Sequence, residues 1–117
     1  MANKITIYEK PTCSTCRIVI EMLTKKGVKF DAVNYYQKPF TKAGLKSLLG
    51  KMNARPRDIL RRNEEIYRKL DLGADDYGDD EILELMVKHP DLIQRPIVVK
   101  GDSVILARPP ERLKEIL

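Results

Sequence analysis

Pro11-Thr12-Cys13-Ser14-Thr15-Cys16-Arg17 holds both cysteines of the 117-residue chain, separated by two residues and close to its beginning. His89 is the single histidine. A structural zinc site takes four Cys or His ligands, so no metal centre is expected from this pair. A disulfide across so small a loop adds little stability, whereas Cys-x-x-Cys is the spacing of thiol exchange. The pair therefore reads as redox-active or nucleophilic.

Working outward, Lys4-Ile5-Thr6-Ile7-Tyr8 alternates apolar and polar residues and predicts a first β-strand. Pro11 marks a turn. From Arg17, Ile18, Val19, Ile20, Met22 and Leu23 form a run too apolar for a surface helix, ending at Lys25-Lys26-Gly27, so a buried helix is expected. Cys13 then lies where a strand passes into a helix N-terminus. Free backbone N–H groups and the positive end of the helix dipole stabilise a thiolate there, and Arg17 adds a cation. A lowered Cys13 pKa follows. The competing reading makes both cysteines small buried hydrophobes at a helix start.

Val28 to Tyr35 reads as a second strand, and the strand, helix, strand order implies a right-handed parallel crossover. Thr41 can cap a helix carrying Leu45, Leu48, Leu49 and Met52. Pro56 opens a further helix over Arg57–Asn63, and Ile66, Tyr67 and Leu70 suggest another turn or two. Asp79 or Asp80 starts a helix with Ile82, Leu83, Leu85, Met86 and Val87, which His89-Pro90 stops. The acidic positions Asp75, Asp76, Asp79 and Asp80 serve caps and turns in this reading. Gln94-Arg95-Pro96-Ile97-Val98-Val99-Lys100 and Val104–Arg108 form a hairpin about Gly101-Asp102-Ser103. Pro109-Pro110-Glu111 leads into a last helix with Leu113, Ile116 and Leu117. The whole predicts one α/β domain, residues 1–117: a thioredoxin-like fold with a mixed sheet and a helical insertion at about 38–93.

Lys and Arg total 22 against 17 Asp and Glu, a formal charge of +5, with the cations spread along the chain and broken by acids. That favours anions in general. With no Trp, five Tyr and two Phe, no aromatic and basic stripe suits a nucleic acid. No apolar run reaches the roughly 18 residues of a membrane span, and the first residues carry no signal-peptide core, so a cytoplasmic protein is expected. His89 beside Pro90 reads as a helix-end residue.

Ile7-Tyr8 with Pro11 and Cys13, Leu60-Arg61-Arg62-Asn63, His89-Pro90, Arg95-Pro96-Ile97-Val98-Val99 and Arg108-Pro109, in this order, resemble the arsenate reductases of the glutaredoxin-coupled type and their Spx-like relatives. The resemblance covers nearly the whole chain. It implies that Cys13 is the nucleophile and that Arg61, Arg95 and Arg108 hold the oxyanion, since fixed guanidinium groups stay charged and bind oxygens bidentately. Arg17 would assist Cys13. Pro96 would follow a cis peptide bond. The implied reaction has Cys13 attack arsenate, glutathione or another thiol attack the adduct, and arsenite leave after exchange with glutaredoxin. No bound cofactor is implied, and a monomer is expected.

The chain departs from that family in three places. Cys16 and Ile18 stand where the single-cysteine reductases carry serine and asparagine, so Cys16 is a possible resolving cysteine that thioredoxin would reduce. Glu9 replaces a histidine, and its charge would raise the Cys13 pKa if it came close. The sequence also ends at Leu117, short of the tail of some reductases. Two rival functions fit the Cys-x-x-Cys: an Spx-like regulator that senses oxidation while bound to RNA polymerase, and a general thiol-disulfide oxidoreductase.

Overall fold

The computed structural model describes residues 4–74 and 76–117, so Asp75 of the acidic cluster and the first three residues lie outside the described residues. Two compact units emerge: one from the described residues up to Lys38 together with Arg95–Leu117, the other from Pro39–Gln94.

The first unit is built on a four-stranded mixed sheet. Strand β1 (Ile5–Glu9) leads to helix α1 (Ser14–Lys25) and strand β2 (Phe30–Asn34), and the chain returns as β3 (Ile97–Lys100) and β4 (Ser103–Leu106). The strand order is β2-β1-β3-β4, with β1 parallel to β2 and antiparallel to β3, and β3 antiparallel to β4. The fold is thioredoxin-like. β1 shows why: Ile5, Ile7 and Glu9 are buried while Thr6 and Tyr8 are half-buried, the period-two signature of a central strand with one face on the core. Ile5, Ile7 and Val98 pack with Val19 and Leu23 of α1 and with Ala107, Leu113 and Ile116 of the C-terminal segment.

Helix α1 is amphipathic rather than buried on all sides. Cys16, Val19 and Leu23 are covered, while Arg17 and Glu21 face out and Ile18 is 47% exposed. The sheet covers one stripe at helical spacing, and the apolar excess of the sequence lies partly outside it. Gly27 closes the helix with φ +67°, a left-handed turn that costs glycine no Cβ clash. The C-terminal helix is a 3₁₀ helix, Pro110–Glu115, opened by a proline at its first position. Among the described residues two peptide bonds are cis, Arg95–Pro96 and Arg108–Pro109.

The second unit is helical. Thr41 caps α2 (Lys42–Lys51), its side chain accepting from the Gly44 N–H at 3.0 Å. The helix expected over residues 57–63 is only a 3₁₀ turn, Pro56–Ile59. Leu60 instead bridges to Ile93, with the Arg61 N–H donating to the Leu92 carbonyl and the Gln94 N–H to the Ile59 carbonyl, both at 2.8 Å. Backbone groups that would have continued the helix are spent on this pairing. Short α3 (Glu65–Lys69) and α4 (Asp79–Lys88) follow, and a 3₁₀ turn, Pro90–Leu92, ends the unit's helical part. The second unit's interior is Leu45, Leu49, Ile59, Leu60, Leu72, Ile82, Leu83, Met86, Leu92 and Ile93, each at most 5% exposed. Among the described residues no helix is long and apolar enough to cross a membrane.

Candidate active site

β1 ends at Glu9, and the four residues between it and α1 turn the chain so that Cys13 becomes the helix N-cap. The Cys13 N–H donates to the Lys10 carbonyl at 2.9 Å, and its own carbonyl accepts the first helical bond from the Arg17 N–H at 3.1 Å. The sulfur stands where a capping oxygen would, Cys13 Sγ accepting from the Cys16 N–H at 3.4 Å. This geometry favours the thiolate. Burial raises the Cys13 pKa, but hydrogen bonding from the Cys16 side chain and backbone N–H, joined by Arg95, outweighs it, and the net shift is downward.

Cys16 moves the opposite way. It is fully buried, and burial, aided by Cys13 and Glu9, pushes its thiol up to about 12. Two cysteines one helical turn apart are thus differentiated into an ionisable half-exposed sulfur and a protonated enclosed one.

Arg95 is the charged neighbour of Cys13. It lies two residues before β3, which runs antiparallel to β1, so Arg95 and the residues that follow β1 share one end of the sheet. Arg95 is 6% exposed, and its Nε and Nη1 are buried without a hydrogen-bond partner. Burial works against its charge, yet Tyr35, Tyr36 and Cys13 hold the pKa above that of a free guanidinium. Arg108 is half-buried at the end of the hairpin and donates from Nη1 to the Arg95 carbonyl at 3.1 Å. Arg17 is exposed and donates from Nη1 to the Pro11 carbonyl at 3.1 Å, bracing the turn before Cys13.

Arg61 belongs to the helical unit, where Nη1 donates to Gln94 Oε1 at 2.8 Å and Nε pairs with Glu64 at 3.3 Å; its side chain is 18% exposed. His89 ends α4. Among the described residues no group of three or more His, Cys, Asp or Glu side chains is placed to hold a metal ion.

Glu9 is the residue whose part in the site the sequence left conditional. Its charge would raise the Cys13 pKa if it came close; the structure turns the side chain inward, 8% exposed, and its charge acts on Cys16. The signal was present, since Glu9 continues the inward row of Ile5 and Ile7.

Known proteins align with this architecture from end to end. A profile of the ArsC family matches residues 8–116. An arsenate reductase of Escherichia coli K12 is 39% identical over 115 residues, covering 98% of this chain and 82% of its own. One from Haemophilus influenzae is 34% identical, covering 97% of this chain and 98% of its own. The solved arsenate reductase from Vibrio cholerae superposes with a TM-score of 0.94 at 34% identity, covering all of both chains. With the family profile spanning nearly the full sequence and two relatives above 30% identity covered over more than four fifths of their length, the chain belongs to the ArsC family.

Proposed function

We propose that this protein reduces arsenate to arsenite, with Cys13 as the nucleophile. The observation that carries the reading is the pairing of an N-capping thiol whose ionised form is favoured with a buried guanidinium that has two unbonded nitrogens, Cys13 with Arg95. A multiply charged oxyanion is the partner that suits such donors. Arg95 and Arg108 are assigned to its oxygens. The family resemblance assigns Arg61 to them as well, and within its own unit Glu64 and Gln94 hold that guanidinium in place. Arg17 stiffens the turn that presents Cys13.

In the proposed reaction the Cys13 thiolate attacks arsenic, one arsenate oxygen takes up protons and leaves as water, and a Cys13 S–As(V) bond forms. A second thiol then takes the sulfur, the S–As pair stays on arsenic, and As(III) leaves as arsenite. Glutathione with glutaredoxin, or thioredoxin, supplies the electrons, and the chain acts in the cytoplasm as a monomeric domain carrying its helical insertion at about 38–93, with no bound cofactor. The rival readings, a polymerase-bound regulator or a general oxidoreductase, are less favoured by relatives named for arsenate reduction.

The test is arsenate-dependent NADPH oxidation by the purified protein, coupled in turn to glutathione with glutaredoxin and to thioredoxin with its reductase. Turnover lost in Cys13→Ser supports the proposal. Full turnover in that variant removes the nucleophile.

A further inference from the structure

Glu9 is a buried acid that the reaction above does not use. It is 92% covered (8% exposed), and its Oε2 is buried with no hydrogen-bond partner. Leaving such a group unpaired is costly, so its place calls for a reason. The packing supplies one. The inward row of β1 is Ile5, Ile7, Glu9, and the inward stripe of α1 is Cys16, Val19, Leu23; Ile5 and Ile7 pack in one cluster with Val19 and Leu23. β1 and the helix that follows it run in opposite directions, so one further step along both rows sets Glu9 towards Cys16, and the Glu9 charge is indeed felt at Cys16.

We propose that Glu9 is the proton acceptor that turns Cys16 into a nucleophile toward Cys13, so that the two cysteines close into a disulfide during each turnover. This rests on the reading of Cys13 as the nucleophile and names the second thiol. The Cys16 proton passes to the Glu9 carboxylate. The Cys16 thiolate attacks Cys13 Sγ, the S–S bond forms, the S–As(V) bond breaks with its pair retained by arsenic, and arsenite departs taking up protons, one of them returned by Glu9. Both sulfurs are oxidised by one electron each and arsenic is reduced by two. A dithiol reductant such as thioredoxin then reopens the disulfide.

The environment fits a base. Burial raises the Glu9 pKa, so its carboxylate binds a proton more readily than a solvated one, while Arg17 pulls the other way and keeps it ionisable. Arg17 and Cys16 are the charged and titratable groups that reach Glu9 from α1; beside it on β2 stands Asn34, which does not titrate. Without a local base the Cys16 thiol, held near 12, would rarely ionise at neutral pH.

A probe free of arsenic separates this inference from the proposed function. A chromogenic aromatic disulfide, dithiobis(nitrobenzoic acid), reacts first with Cys13, releasing one coloured thiolate, and the second is released only as Cys16 closes on Cys13. The second phase is followed across pH in the wild type, Glu9→Gln and Glu9→Asp. The proposal expects the second phase of Glu9→Gln to slow on the order of a hundredfold at neutral pH and to lose its plateau, rising with hydroxide instead. Glu9→Asp retains the plateau with a shifted midpoint. A carboxylate that merely repels the Cys16 thiolate predicts the opposite sign, since its removal eases ionisation and speeds closure. Unchanged or faster closure in Glu9→Gln overturns the proposal, as does a wild type that releases only one thiolate. If Glu9→Gln does not fold by circular dichroism, Glu9→Asp decides: closure with wild-type rate and pH profile overturns it. Glu9-dependent closure without arsenate turnover leaves the inference standing and removes the arsenate reading alone.

Discussion

Arg108 donates from Nη1 to the carbonyl oxygen of Arg95 across 3.1 Å, so one candidate anion-binding side chain fixes the backbone of another. The two arginines are therefore expected to act as a unit. Arg95→Ala should weaken arsenate binding by about 2 kcal/mol or more, the scale for losing a charged hydrogen bond away from water. Arg108→Ala should also disturb Arg95, so the double variant should cost less than the two single losses added. Initial-rate arsenate titrations of the four proteins check this, and strict additivity would separate the pair.

Cys13 should react as a thiolate below the ordinary thiol range. Its alkylation by iodoacetamide, followed against pH in a Cys16→Ala background and in the wild type, should show a midpoint below 9.0 in the wild type. Removing the Cys16 thiol takes away one hydrogen bond that favours the charged form, and Arg95→Ala removes a cation, so both changes should move the midpoint up. A midpoint that does not respond to either variant would disprove this account of the shift.

Stability should fall at high pH through Cys16. Its proton is held more tightly in the folded chain, with the thiol moved from 9.0 to about 12, so its contribution is complete below 9.0 and is lost as pH rises toward 12. Denaturant midpoints measured through that window should decline more steeply for the wild type than for Cys16→Ser, which has no thiol to ionise. Parallel curves would contradict the assignment.

The helix that carries the cysteines should be anchored by its inner stripe alone. Leu23, fully buried, should cost about 2–5 kcal/mol when replaced by alanine, whereas Ile18→Ala on the open face should stay within about 0.5 kcal/mol. Urea unfolding of both variants measures the contrast. Equal losses would mean that Ile18 is covered in solution.

Much of this was legible in the residues because the deciding signals are local. The alternation of Ile5 and Ile7, Gly27 with its left-handed φ, and Thr41 as a cap report on neighbours a few positions away. What was not legible depends on distant partners. Residues 57–63 have helical character, yet Leu60 and Ile93 pair across more than thirty positions and end the helix at Ile59. The openness of one side of α1 depends on how much of it the sheet covers, a quantity no short window contains. Glu9 is intermediate: the alternation that buries Ile5 and Ile7 extends to it, but only the docked helix shows that a cysteine lies opposite.

Sheet order has a further bearing on how long the chemistry survives under stress. Cys13 follows the end of β1 and Arg95 precedes the start of β3, and these two strands are flanked on both sides by others. Fraying begins at the margins, on β2 and β4, the outer strands of the sheet among the described residues. Amide protons of the inner pair should consequently be the last to exchange with deuterium, and thiol reactivity at Cys13 should persist through partial opening and vanish only when the chain comes apart as a whole.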